Sequence, residues 1–369
     1  MNSARILIMA GGTGGHVFPA LAVAHYLNER GHQVSWLGTR RGMESELVPA
    51  NGFDIDYISI AGLRGNGLLG WLAAPLRITR AILQALAVVR RRKPDAVLGM
   101  GGFVTGPGGV AAKISGRPLL IHEQNAIAGL TNKLLSRIAK RVLEAFPGTF
   151  SGAKVTHTGN PVRNDIASLP EPAMRFSGRE GRLRLLVVGG SLGALALNEV
   201  VPEAVKALPE AIRPEVCHQS GKRHLEMARD AYASAGVEAR VIPFIDDMAA
   251  QYEWADLVIC RAGALTVSEL ALAGVAAILV PFPYAVDDHQ SANGQYLVNH
   301  GAAELIQQRD MSATALAEML RGYCAEPLAG RERLKTMAEN ARKMARAEAT
   351  AMVAEACLNL AGIESEVMA

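Results

Sequence analysis

Two glycine-rich turns are the residues best suited to chemistry in this sequence. The first, Ala10-Gly11-Gly12-Thr13-Gly14-Gly15-His16, follows the apolar run Ile6-Leu7-Ile8-Met9. The second, Gly189-Gly190-Ser191-Leu192-Gly193-Ala194, follows Leu185-Leu186-Val187-Val188. Glycine turns let backbone N–H groups approach an anion, and a helix start behind the turn adds a favourable dipole. Two further turns, Gly99-Met100-Gly101-Gly102-Phe103 and Arg261-Ala262-Gly263-Ala264-Leu265-Thr266, also follow strand-like runs. Turn chemistry alone accounts for any one of them; their repetition after strands favours a cleft for a phosphate-bearing ligand. NAD is a poor fit. Gly12-x-Gly14-x-x-Val17 lacks the third glycine of a dinucleotide fingerprint. Leu37-Gly38-Thr39-Arg40-Arg41 stands where an acidic residue should close the second strand. Those arginines leave a 2′-phosphate, and so NADP, open.

The elements that must position these turns alternate along the chain. In the first half, strand-like runs at Arg5–Ala10, Gln33–Leu37, Ile55–Ile60, Ala96–Met100, Leu119–His122 and Arg141–Ala145 are separated by helical stretches, among them Val17–Arg30, Gly70–Arg91 and Leu130–Ala139. Alternation predicts a parallel sheet with helices on both faces. Asn160 to Arg182, rich in Pro, Gly and charge, reads as a linker. Strand-like runs then resume at Leu183–Val188, Glu215–Gln219, Ala239–Pro243, Leu257–Cys260 and Ala277–Val280, and Ala329–Ala361 reads as one or two helices. The expected class is α/β: two Rossmann-like, doubly wound parallel-sheet domains facing a cleft, since ligands bind beyond the carboxyl ends of such strands. The predicted boundaries are 1–160, a linker over 161–182, a second domain over 183–340, and a helical segment over 341–369 with the first domain as a candidate packing surface.

Length and composition agree. The chain has 369 residues and is half apolar, enough for two ordinary cores. Four scattered cysteines without a Cys-x-x-Cys suggest neither a disulfide framework nor a zinc site. No apolar run reaches the roughly 20 residues needed to span a bilayer, and the apolar start is too short for a signal peptide; a soluble cytoplasmic protein is expected. Residues 1–160 hold 18 basic and 8 acidic side chains, against 20 and 27 in the remainder. A basic first half suits an anionic surface or substrate, or serves solubility. Nucleic acid is not expected, because the basic residues are not interleaved with a stacking platform.

Several segments together resemble one family. They are Gly11 to Ala20, the run His122-Glu123-Gln124-Asn125-Ala126-Ile127-Ala128-Gly129, Gly159-Asn160-Pro161-Val162-Arg163, Gly189 to Ala194, and Arg261 to Leu270. In this order they are similar to the MurG family, the peptidoglycan N-acetylglucosaminyltransferases of the two-domain GT-B type. The resemblance implies transfer of N-acetylglucosamine from UDP-N-acetylglucosamine to the C4 hydroxyl of the muramoyl sugar of lipid I, with inversion and without cofactor or metal. It also implies a peripheral enzyme on the cytoplasmic face of the inner membrane, with cell-wall synthesis proteins as candidate partners. Asp246-Asp247 and Asp287-Asp288 read as helix-start and loop carboxylates rather than metal ligands.

By that resemblance Phe244 and Ile245 meet uracil, Glu269 takes the ribose hydroxyls, and Ala264, Leu265, Thr266, Val267 and Ser268 bring a helix N-terminus to the diphosphate. Ser191 donates to phosphate and Arg163 supplies a cation. His289 and Gln290 reach the sugar, and Thr13, Gly14, Gly15 and Asn125 lie at the substrates. The family often has Gln-Gln at His289-Gln290, Ser-Gln-Gly at Ser191-Leu192-Gly193, and Gly at Ala126. His16, at the helix entry, is the candidate base, since the dipole disfavours imidazolium; donation to phosphate or helix capping is the alternative, and His122 and Glu123 are rivals. Leu68, Leu69, Trp71, Leu72 and Leu76 with Arg77 and Arg80 read either as a helix buried in the core or as a contact with an anionic membrane. The readings to be told apart from the transferase are a UDP-N-acetylglucosamine 2-epimerase and a non-catalytic sugar-nucleotide sensor.

Overall fold

β-Branched and apolar runs of four to six residues, closed by glycine turns, fold as buried parallel strands in both halves of the chain. The computed structural model describes residues 3–60, 73–190 and 193–363. These divide into two compact units, one of residues 1–163 and 346–369, the other of residues 164–345.

In the first unit, strands β1 (Arg5–Met9), β2 (Gln33–Gly38), β3 (Asp54–Tyr57), β4 (Ala96–Gly99), β5 (Leu119–Glu123), β6 (Arg141–Glu144) and β7 (Val155–His157) are ordered β3-β2-β1-β4-β5-β6-β7, all parallel. The side-chain period of two splits β1 between two cores. Ile6 and Ile8 pack with helix Gly14–Glu29 and with Val353, Ala354, Cys357 and Leu358 of the C-terminal helix Ala349–Leu360. Leu7 and Met9 face Ala81, Ala85, Val88 and Val89 of helix Ala74–Arg92 and Ala111 and Ala112 of helix Thr105–Ile114.

The second unit repeats the plan with β8 (Arg184–Val188), β9 (Glu215–Gln219), β10 (Ala239–Ile242), β11 (Leu257–Cys260), β12 (Ala276–Leu279) and β13 (Ala303–Leu305) in the parallel order β10-β9-β8-β11-β12-β13. Strand order reverses between β1 and β4 in one sheet and between β8 and β11 in the other. All four glycine turns follow these four strands. They therefore sit at the two switch points, where open α/β sheets bind ligands.

The structure departs from the sequence reading in several places: the third strand is Asp54–Tyr57 rather than Ile55–Ile60, and the second unit runs over 164–345 rather than 183–340, the chain rejoining the first unit at 346 rather than 341. β7 and β13, each three residues long, are too short to stand out as apolar runs. Helix Gly14–Glu29 begins inside the glycine turn, three residues before Val17. The stretch expected as a linker, 161–182, is folded rather than free. Its helix Pro172–Phe176 buries Arg175, whose guanidinium donates to Tyr252 O (3.0 Å), Ala273 O (2.7 Å) and Gly274 O, while Phe176 joins the second unit's core. Charge and proline hid a packed segment because its buried cation is satisfied by helix-end carbonyls, which no sequence pattern announces.

Candidate functional site

At the first switch point two turns touch backbone to backbone. Register places Met9 beside Gly99, so the chain leaving β1 meets the chain leaving β4. A Cβ on Gly102 would lie 2.3 Å from Gly11 O, and one on Gly101 2.5 Å from His16 Cδ2. Both glycines have positive φ, +84° and +102°. The imidazole of His16 thus rests against a bare backbone, half-buried in the first turn of its helix, with Nδ1 3.5 Å from Thr13 Oγ1. Thr13 and Gly15 are exposed beside it, and Gly14 lies under the ring of Phe18.

Glu44, which the sequence reading passed over, anchors this turn. It is completely buried. Its carboxylate accepts from Gly12 N (2.9 Å), Thr39 N (2.8 Å) and Thr39 Oγ1 (2.7 Å). Cβ atoms on Gly11, Gly38 or Gly42 would collide with it. The expectation that the first turn offers its N–H groups to an anion is corrected at Gly12, whose N–H is already given to a carboxylate of the protein. That negative charge opposes a phosphate at the same spot. The only cue in the sequence is an acidic residue shortly after Gly38 and Gly42.

His122 and Glu123, the rivals for general base, are structural. His122 is completely buried, its Nε2 2.9 Å from Gly159 O, and burial holds its pKa down at about 4. Glu123 accepts from Asn125 N (3.1 Å), Asn125 Nδ2 (3.2 Å), Gly129 N (3.1 Å) and Asn132 Nδ2 (2.9 Å). It fixes Asn125, half-buried at the mouth of β5. Arg163 is exposed at the last residue of the first stretch of this unit.

The second switch point is built differently. Its turn is held by Gln219, the last residue of β9, which the sequence reading also missed. Gly190 N donates to Gln219 Oε1 (3.0 Å), and Gln219 Nε2 donates to Gly190 O (2.9 Å) and Pro243 O (3.2 Å). One neutral amide therefore ties the second glycine turn to the segment carrying Phe244, half-exposed, and Ile245, buried. A Cβ on Gly193 would meet Ser220 O at 2.4 Å, so this turn also needs glycine for a close approach. Because the clamp is uncharged, this turn lacks the repulsion that Glu44 sets up in the first. Ser191 lies outside the described residues, as do Leu68, Leu69, Trp71 and Leu72.

Helix Ala264–Ala273 starts directly after β11 from Gly263, which has no side chain to cap it. Ala264, Leu265 and Thr266 thus form an N-terminal turn at the carboxyl edge of the sheet, fit to face an anion. Val267 is buried under it, and Ser268 turns its hydroxyl back to Ala264 O (3.0 Å). Glu269, half-buried on the next turn, accepts from Tyr252 OH (3.2 Å). Helix His289–Val298 is pinned to the same edge by buried Asn293, whose Nδ2 reaches Ala262 O (3.3 Å). At its start, His289 Nδ1 donates to Val286 O (2.7 Å), which fixes the ring and leaves Nε2 as the nitrogen it presents. Gln290 Oε1 accepts from Phe282 N (2.9 Å), which directs its amide NH2 as the group it presents. Asp247 caps helix Met248–Trp254 through Ala250 N (2.9 Å), as its position predicted. Among the described residues no three His, Cys, Asp or Glu side chains gather as a metal cluster.

Residues 6–144 match the glycosyltransferase family 28 N-terminal domain and residues 184–351 its C-terminal domain. The chain belongs to glycosyltransferase family 28. A curated relative from Marinobacter nauticus is 56% identical, with 97% of this chain and 98% of the relative covered. It is named UDP-N-acetylglucosamine--N-acetylmuramyl-(pentapeptide) pyrophosphoryl-undecaprenol N-acetylglucosamine transferase. The crystal structure of Acinetobacter baumannii MurG superposes with a TM-score of 0.84 at 47% identity, covering 96% of this chain and 99% of that one. A UDP-GlcNAc 2-epimerase from Neisseria meningitidis, bound to UDP-GlcNAc, shares the fold with a TM-score of 0.64 at 14% identity over 96% of this chain and 100% of that one. The expected glycosyltransferase class and paired Rossmann-like sheets are borne out, and the resemblance to the MurG family with them.

Proposed function

We propose that this family 28 enzyme transfers N-acetylglucosamine from UDP-N-acetylglucosamine to the C4 hydroxyl of the muramoyl sugar of lipid I, giving lipid II. The observation that carries this reading is the 56% identity, over nearly the whole of both chains, to a relative named for that transfer. Inversion at the anomeric carbon and independence of a bound metal belong to the same proposal. Without a metal, the charge growing on the departing UDP needs fixed donors. The second unit offers them in the start of helix Ala264–Ala273, whose N-cap is Gly263, and in a glycine turn clamped by a neutral amide. Glu269 takes the ribose hydroxyls, Phe244 and Ile245 the uracil, Ser191 and Arg163 the phosphates, and His289 and Gln290 the sugar.

In the first unit His16 serves as general base for the acceptor hydroxyl, and Thr13, Gly14, Gly15 and Asn125 bind the substrates. Loss of most turnover in His16→Ala with an intact lipid acceptor supports this role; near-normal turnover refutes it.

Docking on an anionic bilayer is the proposed localisation, at the cytoplasmic face of the inner membrane. No helix among the described residues is long and apolar enough to cross a membrane. Helix Ala74–Arg92 leaves Leu76 (75%) and Leu83 (60%) exposed beside exposed Arg77 and Arg80. Exposed leucines rimmed by basic residues suit an interface with acidic headgroups.

The test is transfer of labelled N-acetylglucosamine from the UDP-sugar to a lipid I analogue, with and without a chelator. Chelator-resistant lipid II is the expected product. Conversion of the donor to its manno epimer would favour the epimerase instead, and binding of UDP-sugar without turnover would favour the sensor.

A further inference from the structure

We propose that Tyr252 is the positioning residue for nucleotide recognition, holding the Glu269 carboxylate in the orientation that accepts the vicinal ribose hydroxyls. The inference rests on the reading of Glu269 as the ribose contact. Tyr252 is completely buried, and its phenolic hydroxyl donates to Glu269 Oε2 at 3.2 Å. A glutamate has three rotatable side-chain bonds, and a half-exposed one samples several rotamers unless a partner restricts it. A carboxylate has about four lone-pair sites, so a hydrogen bond from one side selects an orientation while leaving capacity for two diol hydroxyls.

The donor itself is fixed. Tyr252 sits in helix Met248–Trp254, which starts at the Asp247 cap two residues after Ile245. Its own carbonyl accepts from Arg175 Nη1 (3.0 Å), and Arg175 Nη2 donates to Ala273 O (2.7 Å) and Gly274 O, the end of the helix that carries Glu269. One buried guanidinium thus joins the helix that follows the uracil segment to the helix that presents the carboxylate. Burial lowers the Arg175 pKa to about 10, which leaves it charged at neutral pH. Nothing in this arrangement requires Tyr252 to touch substrate.

The experiment compares the full-length enzyme with Tyr252→Phe, which keeps the ring and removes only the hydroxyl. Affinities for UDP and 2′-deoxy-UDP are measured by calorimetry, alongside kcat and KM for UDP-N-acetylglucosamine. The unmodified enzyme is expected to prefer UDP by about tenfold, the worth of one hydrogen bond to a charged group. In Tyr252→Phe that preference should collapse to about twofold, with KM rising about fivefold and kcat changing less. Glu269→Gln is expected to collapse the same preference, and the double variant to lose little more than either single one. Discrimination retained in Tyr252→Phe, or equal weakening of both ligands, overturns the inference and leaves a packing role. Equal binding of UDP and 2′-deoxy-UDP by the unmodified enzyme overturns the ribose reading of Glu269 instead.

Discussion

Replacing Gly102 with alanine puts one methyl group between two backbone turns. The new Cβ would lie 2.3 Å from Gly11 O, 2.9 Å from Gly11 C and 3.0 Å from Gly11 N, whereas ordinary contact begins near 3.4 Å, so the turns must part by about 1 Å. All three opposing atoms are backbone, and no rotamer change relieves them. The positive φ of +84° adds roughly 1–2 kcal/mol of left-handed strain, and overpacking adds roughly 1–3 kcal/mol. Moving the Gly11 turn carries Thr13 and His16 with it, and a displacement of about 1 Å at a reacting group costs up to about a hundredfold in rate. The expected result is a kcat/KM for the lipid acceptor reduced by about a hundredfold, with UDP affinity unchanged because the nucleotide contacts proposed, Arg163 apart, are in the other unit. Gly116→Ala is the control. Its φ is +68° but a Cβ there meets nothing within 4 Å, so it should cost about 1 kcal/mol of stability and no activity. The assays are steady-state transfer to a lipid I analogue and calorimetric UDP binding at a temperature where both variants are folded. Acceptor kcat/KM within threefold of the unmodified enzyme, or a parallel loss of UDP affinity, would refute the assignment of this turn to the acceptor.

Glu44→Gln should destabilise the first unit by about 1–3 kcal/mol, because an amide NH2 cannot accept from both Gly12 N and Thr39 and leaves one buried donor unpaired; the urea midpoint of unfolding checks this, and an unchanged midpoint would count against the clamp. Acid should weaken the fold through two buried histidines. His122 has its pKa lowered by burial to about 4, and His218 to about 3. The unfolded chain therefore takes up these protons first, and stability present above about pH 6.5 is lost as pH falls towards 4 and then 3. A tenfold difference in proton affinity between folded and unfolded chain is worth about 1.4 kcal/mol, so His122 contributes roughly 3 kcal/mol to this loss. His122→Gln should flatten the pH dependence between 6.5 and 4 in denaturation series; an unaltered slope would show that other groups carry it. Changing Leu76 to Ser and Arg77 to Glu together should reduce sedimentation with anionic vesicles several-fold while leaving transfer to a short-chain soluble acceptor unaffected. Equal sedimentation of this variant would argue that the exposed face does not dock.

Local pattern was enough to reveal the class of this protein. Apolar runs ending in glycine fold as buried parallel strands, because strand period, burial and the turn after each strand are short-range properties. The order of the segments from Gly11 to Leu270 was enough to show the family. Asp247 was legible as a helix start because a cap acts over three residues. The clamps were not legible. Glu44 reaches Gly12 across 32 residues, Gln219 reaches Gly190 across 29, and Arg175 reaches Gly274 across 99. Such contacts depend on which strands lie side by side, and strand order is decided by packing of the whole sheet rather than by any one segment. The same holds for His122 and Glu123, which by residue type could do acid–base chemistry. Burial of His122, and the neighbours that fill the Glu123 carboxylate, make them supports of the site. The two opening turns look alike in sequence, yet tertiary structure puts a carboxylate beneath one and a neutral amide beneath the other. Charge at a few ångströms in a poorly solvated setting then separates two turns that the sequence leaves equivalent.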